Sequence, residues 1–166
     1  MKAKLIVEGK EFPIEIQDPE LQKLLAPPKK TGYEREDVGD YFFCEYGGQA
    51  VRIKSCDDSD KSLYTSANYY SNETLAKNNA RADKLMRKLR RFAVEHRKNE
   101  LDWSKNLLSK FFIRYDHDDS GLFIDCGYAT KIFGCIYFDT EGAAKIAIET
   151  FRDELIWYFT EYKDSL

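Results

Sequence analysis

FFCEY at residues 42–46 and FFIRY at residues 111–115 decide how this chain reads, because the second restates the first 69 residues later. Both are short, aromatic-rich runs of the kind that suits a strand. The segments after them are also parallel: Gly47-Gly48 and then QAVRIKS in one, DHDDSG and then LFIDCGYA in the other. A second pair of blocks, YYSNETLAKNNA at 69–80 and YFDTEGAAKIAI at 137–148, recurs at an offset of 68. Ser71 or Asn72 in the first, and Asp139 or Thr140 in the second, stands where a helix needs an N-cap oxygen. Each half therefore predicts strand, turn, strand, loop, strand and helix, with an internal duplication spanning 41–98 and 110–162. The bland alternative is that aromatic strands and capped helices look alike. The expected fold is α+β, one antiparallel sheet built from two strand-rich halves, each followed by a packed helix.

Upstream of the first half, KAKLIVEGKEFPIEI predicts two strands around Glu8-Gly9, with Pro13 marking the second as an edge strand. Asp18 then caps a short helix whose first residue is Pro19. The run from Ala26 to Asp40, with Pro27-Pro28 and a dense set of charges, reads as a linker. The expected organisation is a hairpin-helix element over 1–28, a linker over 29–40 and a main domain over 41–166.

The 166 residues, with 43% hydrophobic content and 22 Tyr and Phe, suffice for a packed core. No apolar run approaches the ~20 residues that span a bilayer, and the opening MKAKLIVEGKEF lacks the h-region of a signal peptide. A cytoplasmic location with no membrane contact is expected. Cys44, Cys56, Cys126 and Cys135 form no CxxC and no dense framework, which suits reduced thiols.

The net charge of −3 conceals a segregation: residues 77–98 hold nine Lys and Arg against two acidic residues, and both flanks are acidic. On a helix, Leu75, Ala82, Leu85, Met86, Leu89, Phe92 and Ala93 would share one apolar face. Lys77, Arg81, Lys84, Lys88 and Arg91, joined by Arg87, would line the other. Such a stripe is a candidate contact for nucleic acid or an acidic protein, because ordinary solvated faces mix their signs. The second helix carries Ala143, Ala144, Ala147 and Ile148 inward and runs into LIWYFTEY at 155–162, whose apolar residues nearly encircle it. Ile156, Trp157 and Phe159 are therefore candidate interface residues, either in a homodimer or beneath the N-terminal element.

Catalytic and metal chemistry finds little purchase. The only histidines are His96, expected to be a satisfied residue near the apolar face, and His117. No HExxH, GxSxG, GxxxxGK[ST] or GxGxxG occurs. DHDDSG has the opening spacing of a calcium loop but Gly127 where the twelfth position needs Glu, so a hairpin turn is favoured. CDDSD at 56–60 reads as an acidic loop, and Cys44, aligned with Ile113, as an inert core thiol. No catalytic residue, cofactor or metal is assigned.

EFPIEIQDPELQKLL, PPKKTGYER and the aromatic strand after them resemble the start of small proteins encoded by phages and prophages of Gram-positive bacteria. YYSNETLAKNNA and FRDELIWYFTEYKDSL resemble further parts of the same group, so the resemblance covers most of the chain. It implies a small cytoplasmic accessory protein of the class that includes anti-CRISPR inhibitors. The expected function is a non-catalytic binding protein that blocks a host defence protein or its nucleic-acid complex through helix 77–98. The alternatives are a regulator that binds DNA or RNA directly, and a nucleotide-binding sponge or small enzyme.

Overall fold

The computed structural model describes residues 2–7, 10–25, 30–35, 39–54, 58–105 and 107–164. It falls into two units, Met1–Lys30 and Thr31–Leu166. In the first, β1 (Lys2–Val7) and β2 (Lys10–Glu15) pair antiparallel, with Lys2 opposite Glu15 and Pro13 opposite Lys4. The Glu8-Gly9 turn and the Pro27-Pro28 linker lie outside the described residues. Helix α1 (Pro19–Leu25) begins as its cap dictates: Asp18 Oδ1 accepts from the backbone N–H groups of Glu20 and Leu21 at 2.8 and 3.2 Å.

The second unit is α+β. Its elements are β3 (Asp40–Cys44), β4 (Ala50–Lys54), α2 (Asp58–Thr65), α3 (Glu73–Glu95), β5 (Lys110–Asp116), β6 (Gly121–Gly127), α4 (Glu141–Thr150) and α5 (Arg152–Thr160). The two strand pairs are antiparallel hairpins. Beside each, a single bridge stands where the third strand was expected: Phe42 with Tyr70, and Phe111 with Phe138. Both bridges exchange two backbone hydrogen bonds of 2.8–2.9 Å. Two residues after each bridge comes the helix cap. Asn72 accepts from Leu75 N–H at 2.9 Å, and Thr140 accepts from Ala143 N–H at 3.2 Å. Ala76 and Ala144, one turn further on, are both fully buried, each against its own hairpin's core.

Four expectations need correction. The hairpins β3–β4 and β5–β6 are separate two-stranded sheets, so the halves do not share one sheet. Residues 58–60 open helix α2 rather than a loop, and Asp60 is buried. A short polar helix has too little apolar periodicity to be read in sequence. The second helix is broken at Phe151 (φ −116°, ψ 21°), which ends α4 and starts α5 while its ring packs edge-on against Phe92. Finally, residues 31–35 belong to the main unit, not to a linker. Gly32 C=O accepts from Ser71 N–H at 2.8 Å, and Tyr33 packs on Tyr70.

Glu34 holds that last contact. Its carboxylate accepts from Thr31 N–H and Oγ1, from Gly32 N–H at 2.9 Å and from Ser71 Oγ at 3.2 Å. The Thr31 backbone bond is the largest of the effects that lower its pKa from an ordinary 4.5 to about 2. A depressed carboxylate contributes stability that is present above the ordinary pKa and is lost as pH falls toward the folded one. Thermal unfolding followed between pH 5 and pH 2 should thus show a loss that is smaller in Glu34→Gln, the remainder coming from other depressed carboxylates such as Asp40 and Asp125. Parallel curves for wild type and variant would contradict this.

Candidate partner-binding face

Helix α3 packs on two sides. Its N-terminal part, through Leu75 and Ala76, closes the core of the first half with Tyr70, Phe42, Cys44 and Ala50. Its C-terminal part sends Leu85, Leu89, Phe92 and Ala93 into a core with Phe138, Ala143, Ala144, Ala147 and Leu155. Burying each of the large side chains stabilises by roughly 1.5–3 kcal/mol, which fixes the helix's rotation and so its outer face. Lys77, Arg81, Lys84, Arg87, Lys88 and Arg91 are all exposed on it, as expected.

They are not equivalent. Lys77 Nζ lies 2.7 Å from Glu73, Arg91 Nε 3.6 Å from Glu95, and Arg81 Nε 2.8 Å from Glu154 of α5. Lys84, Arg87 and Lys88 make no ion pair with any described residue. The stem of Lys84 and the guanidinium of Arg87 lie against the tip of the β3–β4 hairpin at Gly48, whose φ is +74°. A Cβ added there would lie 2.9 Å from Lys84 Cβ and 3.3 Å from Arg87 Nη2, so only glycine serves both the turn and the close approach. The unpaired cations thus form a compact group, with Arg91 about 10 Å from Lys84 along the helix.

Arg81 does different work. Its guanidinium lies 3.9 Å from the centre of the Trp157 ring, and Trp157 is only 8% exposed. The cover that the sequence assigned to a second subunit or to the N-terminal element is, at Trp157, supplied within the unit. Phe159 stacks on Tyr115 and Ile156 is half-buried. The break at Phe151 and the several partners around α5 explain how so apolar a segment is accommodated.

The remaining groups serve structure. His96 caps α3, its Nδ1 3.0 Å from Phe92 O and its ring stacked on Phe92, although the residue is more exposed than its place near the apolar face predicted. In DHDDSG, Asp116 Oδ1 accepts from Asp118 and Asp119 N–H, which makes a hairpin turn. Cys44, Cys126 and Cys135 are free thiols, and burial pushes those of Cys44 and Cys135 up, away from the reactive thiolate. Two structural residues were not legible in the sequence. Lys110 is 1% exposed, its Nζ donating to the carbonyls of Lys105 and Tyr128 at 2.9 Å. Asn68 bonds both backbone groups of Cys44. Only Lys110's correspondence to the aromatic Tyr41, 69 residues earlier, hinted at the first.

Among the described residues no group of His, Cys, Asp and Glu could hold a metal ion, and no helix is long and apolar enough to cross a membrane. The chain matches no family model, no curated protein and no solved structure.

Arg81→Ala should uncover Trp157. In a Trp103→Phe background its emission should shift to the red, with a stability loss of about 1–2 kcal/mol from the ring contact and the exposed ion pair. An unshifted spectrum would mean that Arg81 does not cover the ring.

Proposed function

We propose that this chain is a non-catalytic binding protein that engages an acidic surface of a protein target through Lys84, Arg87 and Lys88, with Arg91 at the edge of the group. The observation that carries the reading is that these three cations stand together, without an acidic partner among the described residues, on a helix held by both cores. Three unpaired cations favour a protein over a nucleic acid. Three phosphate contacts would give a log–log salt slope of only about −2.7, against 6–10 contacts for strong DNA binders. The resemblance to phage accessory proteins extends the reading: the target is a host defence protein, alone or carrying its nucleic acid, and binding inhibits it.

The test is capture from a bacterial lysate by the purified chain, with and without nuclease, beside Lys84→Glu/Arg87→Glu/Lys88→Glu. The expected result is a protein that survives nuclease treatment and is lost in the triple variant. The variant's own stability should move by no more than about 0.5 kcal/mol per substitution. Capture of nucleic acid that nuclease removes would replace the reading with direct nucleic-acid binding. Capture unchanged by the triple variant would remove this face from the account.

A further inference from the structure

Strand β5 has two edges, and only one is fully used. Toward β6 it pairs along its whole length, from Lys110 opposite Gly127 to Asp116 opposite Gly121. On the other edge Phe111 exchanges two hydrogen bonds with Phe138. Backbone groups alternate across an antiparallel strand, so the N–H and C=O of Ile113 and Tyr115 point the same way as those of Phe111. No described residue bonds them there. Beside this open edge, between β5 and the loop Ile132–Ile136, lies an apolar cavity of about 450 Å³. Leu85, Met86, Leu89, Cys135, Tyr158 and Phe159 contribute to its walls.

The first half shows what the edge takes. Cys44 corresponds to Ile113, and its N–H donates to Asn68 Oδ1 at 2.7 Å while its C=O accepts from Asn68 Nδ2 at 3.0 Å. The carboxamide stands in for one peptide unit of an additional strand. Asn68 corresponds to Ile136, which has no group that could do this. One half closes its edge with its own amide, and the other leaves it open over an apolar cavity.

We propose that the Ile113–Tyr115 edge and the cavity beside it bind one extended segment of a partner protein, apolar at alternate positions, as an added strand. Unpaired donors and acceptors at two-residue spacing match a peptide backbone and are wasted on a purely apolar small molecule. A second copy fits poorly. Antiparallel self-pairing centred on Arg114 would set two exposed arginines directly opposite each other, and like charges in that position are destabilising. The site uses Leu85, Met86 and Leu89, not the cations of the basic face, so it is independent of the function proposed above.

The probe is a panel of eight-residue peptides alternating threonine with valine, leucine or phenylalanine and ending in glutamates, titrated into the isotope-labelled full chain. Amide shifts should concentrate at Ile113, Arg114, Tyr115 and the cavity walls, with hydrogen exchange at Ile113 and Tyr115 slowed at least tenfold at saturation. The same peptides N-methylated along the pairing edge should do neither. Ile136→Asn, which places a carboxamide where Asn68 stands in the first half, should protect the Ile113 amide without peptide and abolish binding. Should that variant fail to fold, the methylated peptides decide alone. Absence of any shift at millimolar peptide overturns the proposal. An equal response to the methylated peptides makes the feature an apolar cavity only, and concentration-dependent protection of Ile113 without peptide assigns the edge to a second copy; either result also overturns it.

Discussion

Two backbone bridges, Phe42 with Tyr70 and Phe111 with Phe138, place the rest of the main unit. An isolated two-stranded hairpin is marginal in water, and each of these hairpins needs a third element to cover its apolar side. The bridge supplies it by geometry. It fixes the chain two residues before the cap, so the next helix must start over the hairpin. There a fully buried alanine, Ala76 or Ala144, lets the helix approach closely. Cap, bridge and alanine recur in the same order in both halves, although the halves form separate sheets.

Helix α3 then joins the halves. Its first turns complete one core and its later turns the other, and Asn79 ties it to Tyr33 and Tyr162, with bonds of 3.2 and 2.7 Å. A helix gripped on two sides has one narrow face left. The hairpin tip at Gly48 borders it at Lys84 and Arg87, and α5 borders it at Arg81. This explains why the basic stripe is unevenly free. Arg81 is drawn into covering Trp157, Lys77 and Arg91 meet acids one turn away, and the middle of the stripe keeps its charge unspent.

Features governed by local chemistry were legible in the sequence. The Asp18 cap, strands β3 and β5 (the first ending at Cys44, two residues short of the 42–46 run), the glycine turn and the inward set Leu85, Leu89 and Phe92 all follow from spacing and residue type. What was not legible depends on contacts distant in the chain. The docking of Thr31–Arg35 rests on Glu34 reaching Ser71, and the burial of Trp157 rests on Arg81 lying 76 residues before it. The break at Phe151 has no proline or glycine to announce it; the aromatic contact with Phe92 accompanies it. Of the site, the cations were readable as a stripe, but the engagement of Arg81 was not, because that depends on where Glu154 and Trp157 land. Asn68 carried no signal by itself: an asparagine in a loop gains meaning only when compared with Ile136 in the other half.

Native-state hydrogen exchange tests the central claim most directly, because it reports backbone openings residue by residue. If the bridges hold each helix over its hairpin, the amides of Phe42, Tyr70, Phe111 and Phe138 should exchange in the slowest class. They should join the buried turns of α3 and open only with the whole unit. Bridge amides that exchange as fast as the hairpin tips, while α3 and α4 stay protected, would show that the helices are held by their apolar faces alone and that the bridges are incidental.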